Sequence, residues 1–397
     1  MRLALPLALA LAACSRSPIS SDFEGGSLGA VERRGEDHFA CRVPGQADQD
    51  GRNRQVTWYS FRLDGRKGRE TTITLTDLAG EYDYRPGAIG ITGEAPPVVS
   101  RDGRTWTHLP SMSFDRAKAE ASFTFTPESD RVWVAHIEPY TVTRLEGFLR
   151  GIAGRPELRI ETIGKTVQGR DLHLLTITSP AVPDDGKKVV WLMCRQHAWE
   201  SGTSFVGEGA VRFLLSDDAR LLREKIVWKI FPMMDPDGVF HGGVRFNRHG
   251  YDVNRNWDAA DPESPESRRL MPEICAAKKA MLGGRMDFFL TLHNQERGGW
   301  TSGSEKHAEL AARFFRILKD ETIADLPGEG PRAPGPRPAP GRMSVYQYLQ
   351  LERGLPGFIL EQGIAKDAKL GRLPTSLDRL RFGAELARAM AKAVLGN

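Results

Sequence analysis

The feature that most restricts the fold of this sequence is a series of short apolar runs that alternate with amphipathic segments from residue 143 onward. The apolar runs are typical of buried strands, and they are ELRIETIG, DLHLLTIT, KVVWLMC, KIVWKIFP, DFFLTLH and GFILEQG. Between several of them, apolar residues recur with helical spacing over residues 203–216, 265–282, 304–320 and 374–395. Strands that alternate with helices indicate a largely parallel sheet that is covered on both faces. We therefore predict an α/β fold for residues 143–397.

The preceding region has a different pattern. Residues 38–142 contain short β-branched and aromatic runs separated by turn-forming residues, and these runs are TWYSFRL, ETTITLTDL, ASFTFTP and RVWVAHIEPY. Short strands without a long helical period indicate a small antiparallel β-sandwich domain. Residues 15–37 are rich in Ser and Gly and lack periodicity, which predicts a flexible tether.

Residues 1–14, MRLALPLALALAAC, combine one basic residue, a short apolar core and small residues that end at Cys14. This segment is too short to span a membrane and has the form of an export signal. Its LAAC ending resembles a bacterial lipobox, in which Cys14 would be lipid-modified. We therefore expect an exported protein, periplasmic or anchored to the outer membrane as a bacterial lipoprotein. The alternative is an ordinary secretory signal cut nearby.

Charge and cysteine content exclude several functions. The net charge is only +4, and the basic residues are scattered among acidic ones. Nucleic-acid binding requires a basic stripe, so no nucleic-acid partner is expected, and membrane contact is expected only through Cys14. The other cysteines, Cys41, Cys194 and Cys275, are odd in number and widely spaced, which excludes a disulfide framework and a CxxC redox pair.

Three candidate metal ligands follow predicted strands. His197 and Glu200 come directly after KVVWLMC, and His293 ends MDFFLTL. In open α/β sheets, ligands bind at the carboxyl ends of the strands, so these residues can meet. Two imidazoles and one carboxylate leave one position of a tetrahedral zinc site open for water, which is the catalytic arrangement. We predict one Zn²⁺ per chain, bound by these three residues.

Two glutamates remain at the same edge of the predicted sheet. Glu296 lies three residues after His293, but the run NQERGGW is typical of a loop, so Glu200 is the preferred ligand. Glu361 ends the predicted strand PGFIL. Zinc lowers the pKa of its bound water and polarises the scissile carbonyl, and a separate carboxylate must then move the proton to the leaving amine. Glu361 is predicted to be that general base.

The segment MDPDGVFHGGVRFNRHGYDVNRNWD, residues 234–258, indicates the class of substrate. Arg255 offers a planar fork that suits a carboxylate, and Asn254 adds a neutral donor. Arg245 is a candidate for stabilising the oxyanion of a tetrahedral intermediate. The alternative for each arginine is a solvated surface charge.

Four motifs, HAWE, DPDGV…RFNRHGYDVNRNW, TLHNQ and FILEQG, resemble those of zinc metallocarboxypeptidases related to carboxypeptidase A. The second motif is most similar to the cytosolic carboxypeptidase branch and its bacterial relatives. YSFRLDGRKGRETTITLTDL, YRP, SRDGRTW and IEPYT resemble the N-terminal β domain of that branch. Over residues 40–395, the resemblance implies an α/β/α sandwich with a mixed, mostly parallel sheet behind a small β-sandwich. By position it implies zinc ligation by His197, Glu200 and His293, carboxylate anchoring by Asn254 and Arg255, transition-state support by Arg245, and general base and acid work by Glu361.

The resemblance also points to the region before Glu361. Members of this family supply a mobile tyrosine over the bound C-terminus, for which Tyr346 and Tyr348 are both candidates; we predict Tyr346 as the substrate-binding residue. Arg342 is a candidate for recognising acidic side chains. Residues 326–342 carry six prolines and form either a surface linker or a lid.

Three functions fit these residues. The first is a zinc metallocarboxypeptidase that removes C-terminal residues from peptides or proteins. The second is a zinc amidase or deacylase acting on cell-wall peptides or N-acyl amino acids. The third is an inactive zinc-binding module that recognises C-termini. Asn254 and Arg255 favour a substrate with a free carboxylate, which fits the first two equally, whereas a complete set of ligands and base disfavours the third.

Overall fold

The structure is a computed structural model that describes residues 17–333 and 335–396. Residues 1–14, on which the export signal and the lipidation of Cys14 were predicted, lie outside the described residues. Within the described residues, no helix is both long enough and apolar enough to cross a membrane.

The N-terminal region consists of strands. These strands are β1 (Ile19–Ser20), β2 (Val31–Arg33), β3 (His38–Arg42), β4 (Ser60–Asp64), β5 (Thr71–Thr76), β6 (Gly80–Tyr82), β7 (Arg85–Ala88), β8 (Val98–Ser100), β9 (Thr107–His108), β10 (Ser113–Asp115), β11 (Glu120–Phe125) and β12 (Arg131–Ala135). One sheet has the order β1-β4-β12-β8-β9, the other has the order β10-β11-β5-β3-β2, and β6 and β7 form a separate hairpin. All pairs are antiparallel except β3 and β5. The predicted antiparallel β domain is confirmed, with this one parallel pair.

The two five-stranded sheets pack face to face. Successive side chains of a strand point to opposite faces, so alternate residues face the space between the sheets. The buried cluster there includes Phe61 and Leu63 of β4, Val132 and Val134 of β12, Ile73 and Leu75 of β5, and Ala121 and Phe123 of β11.

The prediction of a flexible tether over residues 15–37 is wrong for the described part of that segment. Strand β1 pairs Ile19 with Leu63, and β2 pairs Val31 with Cys41, so the segment completes the edges of both sheets. Backbone hydrogen bonds to a sheet edge do not depend on side-chain periodicity. A Ser/Gly-rich composition therefore does not reveal this pairing.

Helices and strands alternate after residue 140. They are α1 (Val142–Ile152), β13 (Leu158–Lys165), β14 (Asp171–Ile177), β15 (Lys188–Met193), α2 (Ser201–Leu214), a 3-10 turn (Asp217–Ala219), α3 (Arg220–Lys225), β16 (Ile226–Phe231), α4 (Pro236–Phe240), α5 (Pro265–Leu270), α6 (Pro272–Leu282), β17 (Phe288–Gln295), β18 (Trp300–Thr301), α7 (Ala308–Glu321), α8 (Val345–Leu351), β19 (Gly357–Gly363) and α9 (Ser376–Leu395). The predicted helix over 265–282 is divided in two at Met271, because Pro272 begins a new helix and cannot continue the old one.

These elements form one seven-stranded sheet with the order β13-β14-β16-β15-β17-β19-β18. The four strands β16, β15, β17 and β19 are parallel, whereas β13, β14 and β18 pair antiparallel at the edges. Val190 and Leu192 of β15 face the cluster that contains α2 and α9. Trp191 and Met193 face the cluster that contains α6 and α8. The sheet is therefore covered on both faces, which confirms the predicted α/β class.

Helices α2 and α9 pack closely against each other near the middle of α2. A side chain at Gly209 of α2 would place its Cβ 2.0 Å from the carbonyl oxygen of Leu380 in α9. A Cβ at Gly383 of α9 would lie 2.1 Å from the carbonyl oxygen of Val206. Glycine at both positions lets the two backbones touch. This contact fixes the position of α2, and Glu200 directly precedes that helix.

Candidate metal centre

The three predicted metal ligands lie together at the carboxyl ends of β15 and β17. His197 Nδ1 is 2.7 Å from Glu200 Oε1, and His293 Nδ1 is 2.9 Å from Glu200 Oε2. One ligand atom from each residue lies within 4.8 Å of the others, and all three residues are buried. Within residues 17–333 and 335–396, Glu200 Oε2 has no hydrogen-bond partner of acceptable geometry. Two imidazole nitrogens and a free carboxylate oxygen that face one point fit a zinc ion.

The opposite nitrogens of both imidazoles are held by other buried side chains. His197 Nε2 is 3.1 Å from Asp252 Oδ1, and Arg245 Nε donates to Asp252 Oδ2 at 2.6 Å. His293 Nε2 is 3.2 Å from Gln196 Oε1. Metal-binding histidines usually donate their second ring N–H to such an acceptor, which fixes the tautomer and the ring orientation. Sequence reasoning missed Asp252 and Gln196, because neither is recognisable before their partners are known.

The electrostatics of the site favour the metal-binding forms of Glu200 and His293. Burial by itself would raise the pKa of Glu200, but the neighbouring His293 and His197 lower it to about 2. Burial by itself would also raise the pKa of Asp252. The positive charge of Arg245 outweighs burial and holds the pKa of Asp252 well below its usual range. Burial lowers the pKa of His293, which favours the neutral imidazole. An anionic carboxylate and neutral imidazoles are the forms that metals bind.

The turn that carries His197 and Glu200 is fixed by the contact between the two domains. Trp199 packs with Trp58 and Ile137 of the β domain and with Val244. Arg195, two residues before His197, is buried and has a left-handed backbone with φ of 57°. Its Nε donates to the carbonyl of Ala198 at 2.8 Å, which closes the turn. A buried non-glycine residue in this conformation is maintained only when its surroundings compensate the strain.

Glu361 lies beside the metal group on the neighbouring strand. The register of β17 and β19 pairs His293 with Glu361, as expected for two parallel strands that end at one edge. Burial raises the pKa of the Glu361 carboxyl well above its usual range, and the negative Glu200 raises it further, against the effect of Arg245 and Arg255. A carboxylate with a raised pKa suits proton transfer near neutral pH.

The predicted carboxylate-binding residues lie at one side of this centre. Asn254 is buried, with Nδ2 3.1 Å from His293 Nε2, and its Oδ1 accepts from the Val345 N–H at the start of α8. Arg255 is partly exposed, and Nη1 donates to the carbonyl of Asn254 at 2.9 Å. Its guanidinium forms no ion pair with any of the described residues. Tyr346 lines the same cleft.

The second tyrosine candidate is a packed core residue. Tyr348 is buried, with its ring 6.5 Å from that of Trp257 and 4.3 Å from the Lys278 ammonium. It does not line the cleft. Of the two tyrosines, Tyr346 is therefore the one that lines the cleft.

A cleft of about 1030 Å³ lies over the metal group, and the β domain forms one of its walls. That wall consists of residues 54–57, 80–84 and 88–90. These ranges include strand β6 and the tip of the β6–β7 hairpin. Arg332, Pro338 and Ala339 of the proline-rich segment also line the cleft, and Arg342 forms an ion pair with Asp83 of the hairpin. The cleft wall from the β domain was not predicted, because nothing in the sequence indicates which loop of one domain faces the other.

Comparisons with known proteins agree with this geometry. Residues 145–301 match the family described as zinc carboxypeptidase, and residues 19–137 match the cytosolic carboxypeptidase N-terminal domain. The chain is 30% identical to cytosolic carboxypeptidase 6 of Caenorhabditis elegans, over 77% of this chain and 69% of that protein. It is 32% identical to cytosolic carboxypeptidase 6 of Mus musculus, over 68% of this chain and 52% of that protein, so it spans about half the length of the mouse relative.

A solved structure covers almost the whole chain. The crystal structure of a metallo-carboxypeptidase from Burkholderia cenocepacia superimposes with a TM-score of 0.82 and 26% sequence identity. The superposition covers 95% of this chain and 99% of that one. The likeness therefore includes both the β domain and the α/β domain.

These comparisons contradict the predicted localisation. The mouse and worm relatives are named cytosolic carboxypeptidases, and the β domain matches the N-terminal domain of that same group. The prediction of an exported, periplasmic or outer-membrane lipoprotein is therefore wrong. It depended on residues 1–14 alone, on their short apolar core and their LAAC ending, and so short a segment carries little information.

Proposed function

The chain belongs to the zinc carboxypeptidase family, as its motifs predicted, and we propose that it hydrolyses C-terminal peptide bonds of peptides or proteins with one zinc ion. The observation that carries this proposal is the convergence of buried His197, Glu200 and His293 beside Glu361 on the floor of an open cleft. When bound there, zinc supplies Lewis acidity for water activation and carbonyl polarisation. The proposed ligands are these two histidines and Glu200.

Glu361 is the proposed general base and acid. It accepts a proton from the attacking water and returns it to the nitrogen of the departing residue. Its raised pKa and its position next to His293 support this role, because a carboxylate with a raised pKa is a stronger base than an ordinary glutamate.

Arg245 is the proposed stabiliser of the tetrahedral intermediate. Asp252 holds the guanidinium beside His197, so its positive charge is fixed before the reaction begins. A preorganised donor in a buried site stabilises developing negative charge without reorganisation at the moment of reaction.

Arg255, Asn254 and Tyr346 are the proposed anchor of the substrate carboxylate. The guanidinium of Arg255, which has no ion-pair partner among the described residues, supplies two parallel donors, and the Asn254 carbonyl orients it. Tyr346 adds a hydroxyl from the adjoining cleft wall. Anchoring a free carboxylate next to the metal group leaves the last peptide bond at the reaction centre, which makes the enzyme specific for C-terminal residues.

We assign the domains on the same grounds. Residues 143–397 form the proposed catalytic domain, since the metal group, Glu361 and the anchor all belong to it. The β domain, proposed to cover residues 38–142 and joined by β1 and β2, is an accessory domain that shapes the cleft.

The test combines zinc analysis with peptide digestion. We expect one zinc per purified chain, and we expect stepwise loss of single C-terminal residues from a mixed peptide library in mass spectrometry. A chelator should stop this trimming, and readdition of zinc should restore it. Bound zinc without trimming of any free C-terminus would contradict the proposal and favour the amidase or deacylase alternative.

A further inference from the structure

One carboxylate in the cleft has no role in the proposed mechanism. Glu296 follows strand β17, three residues after His293, and lines the cleft together with the β domain. It does not belong to the metal group formed by the described residues. A Cβ at Gly90 of the β domain would lie only 2.9 Å from Glu296 Oε1. Glycine at residue 90 therefore leaves the space that this carboxylate occupies.

The charge of Glu296 is not compensated within the described part of the chain. The adjacent Arg297 points to the surface instead and forms an ion pair with Glu94. No Lys, Arg or His of the described residues forms an ion pair with Glu296. Burial raises the pKa of Glu296, and the negative charge of Glu200 raises it further. A partly buried carboxylate in this position is stabilised by any cation that enters the cleft.

Glu296 and the proposed carboxylate anchor belong to different parts of the cleft. Arg255 is held by Asn254, which contacts the start of α8. Glu296 lies against Gly90, and its backbone carbonyl accepts from the Ala365 N–H, two residues beyond β19. A peptide whose last carboxylate binds Arg255 extends away from the anchor across the metal group. Glu296 shares none of the contacts that hold Arg255, so its carboxylate can meet a different part of the same peptide.

We propose that Glu296 forms a subsite for a cationic group of the substrate on the amino-terminal side of the scissile bond. The group is either the side chain of Lys or Arg or, in a very short peptide, the free α-ammonium. This inference rests on the proposed function, because the carboxylate anchor sets the direction in which the substrate lies.

The test uses N-acetylated peptides that share one C-terminal residue and differ only at the preceding residue, which is Lys, Gln or Glu. At pH 8 the wild-type enzyme should show kcat/KM roughly tenfold higher for Lys than for Glu, with Gln between them. In Glu296→Gln this ratio should fall to near one. Glu305→Gln changes an exposed glutamate nine residues later and should keep the wild-type ratio.

The two sources of the cation are separated by a second pair of substrates. Dipeptides with a free or an acetylated amino terminus and neutral side chains report on the α-ammonium alone. A preference for the free dipeptide that disappears in Glu296→Gln assigns the subsite to the α-ammonium, and a preference confined to the Lys peptide assigns it to the side chain.

Failure of the inference differs from failure of the proposed function. Trimming of all peptides without a charge preference, or a preference that Glu296→Gln retains, overturns the subsite alone. Absence of trimming for every peptide by zinc-loaded enzyme overturns the proposed function and the subsite together.

Discussion

The two walls of the active-site cleft are built differently. On the side of the parallel sheet, the functional groups are buried and fixed by other buried groups, as Asp252 fixes both His197 and Arg245. On the side of the β domain, the hairpin tip presents Tyr82 and Tyr84 to solvent, with 48% and 42% of their surfaces exposed.

The hairpin tip is also held more weakly. Asp83 and Tyr84 have left-handed backbones, with φ of 48° and 63°, which costs roughly 1 kcal/mol for each non-glycine residue. The tip contacts the opposite wall through the partly exposed ion pair of Asp83 with Arg342, and such pairs contribute about 0–1 kcal/mol. The Arg342 and Arg245 guanidinium groups also lie over the rings of Tyr84 and Tyr82. We therefore expect the chemistry to depend on the buried wall and the exposed wall to adjust how the substrate binds. Substitutions should therefore have large effects on the first and small effects on the second.

The largest effect is expected for Glu361→Gln on the buried wall. Without a group that accepts the proton, kcat should fall by roughly 10²–10⁴-fold. Zinc content and melting temperature should remain unchanged, because Glu361 is not a proposed ligand. Steady-state kinetics with metal analysis measure both properties. A variant that loses zinc along with its activity would contradict the role of base.

The next effect is expected for Asp252→Asn, which weakens the acceptor for His197 and Arg245. Loss of such a partner typically lowers metal affinity by about 10–100-fold. Competition with a zinc chelator of known affinity measures this change. Asp261→Asn, an exposed aspartate in the following loop, is the control and should leave zinc affinity unchanged. Equal zinc affinities for both variants would show that Asp252 does not support zinc binding through His197.

A smaller effect is expected on how the free energy of unfolding depends on pH, through the buried Glu273. Burial raises the pKa of Glu273 to about 7, although Asn247 donates to it. The folded state therefore binds the proton more tightly than the unfolded state, in which the pKa is about 4.5. The protonated Glu273 therefore stabilises the folded state. This stabilisation is complete below pH 4.5 and is lost as the pH rises from 4.5 through about 7.

The matching variant is Glu273→Gln, which cannot ionise. Between pH 5 and pH 8, the wild-type free energy of unfolding should decrease by roughly 1–2 kcal/mol more than that of the variant. Urea denaturation at both pH values provides the comparison. Parallel pH profiles for the two proteins would show that Glu273 does not titrate in this range.

The smallest effect is expected on the exposed wall, for Asp83→Asn. Asparagine tolerates the left-handed backbone, so only the ion pair with Arg342 is lost. The free energy of unfolding should change by less than about 0.5 kcal/mol, and kcat/KM by less than about fivefold. An effect as large as that of Asp252→Asn would break the distinction between the two walls.

The pattern of the local sequence predicted the strands of the central sheet and the residues at their carboxyl ends. The apolar runs identified β15, β17 and β19, and strand ends at one sheet edge brought His197, Glu200, His293 and Glu361 into consideration together. The parts that were missed depend on contacts between distant segments. The sequence around Asp252 does not indicate that this residue contacts His197. The composition of residues 19–33 does not indicate that they complete the edges of two sheets. Which β-domain loop enters the cleft is likewise determined by domain packing alone.

The most direct test of the central claim uses two peptides that are identical except for a free or an amidated C-terminus. Both are incubated with zinc-loaded wild-type enzyme, and the products are followed by mass spectrometry. We predict removal of one residue from the free peptide and no change in the amidated one, because Arg255 is the proposed anchor for a free carboxylate. Cleavage of both peptides at equal rates, or of neither, would contradict this prediction.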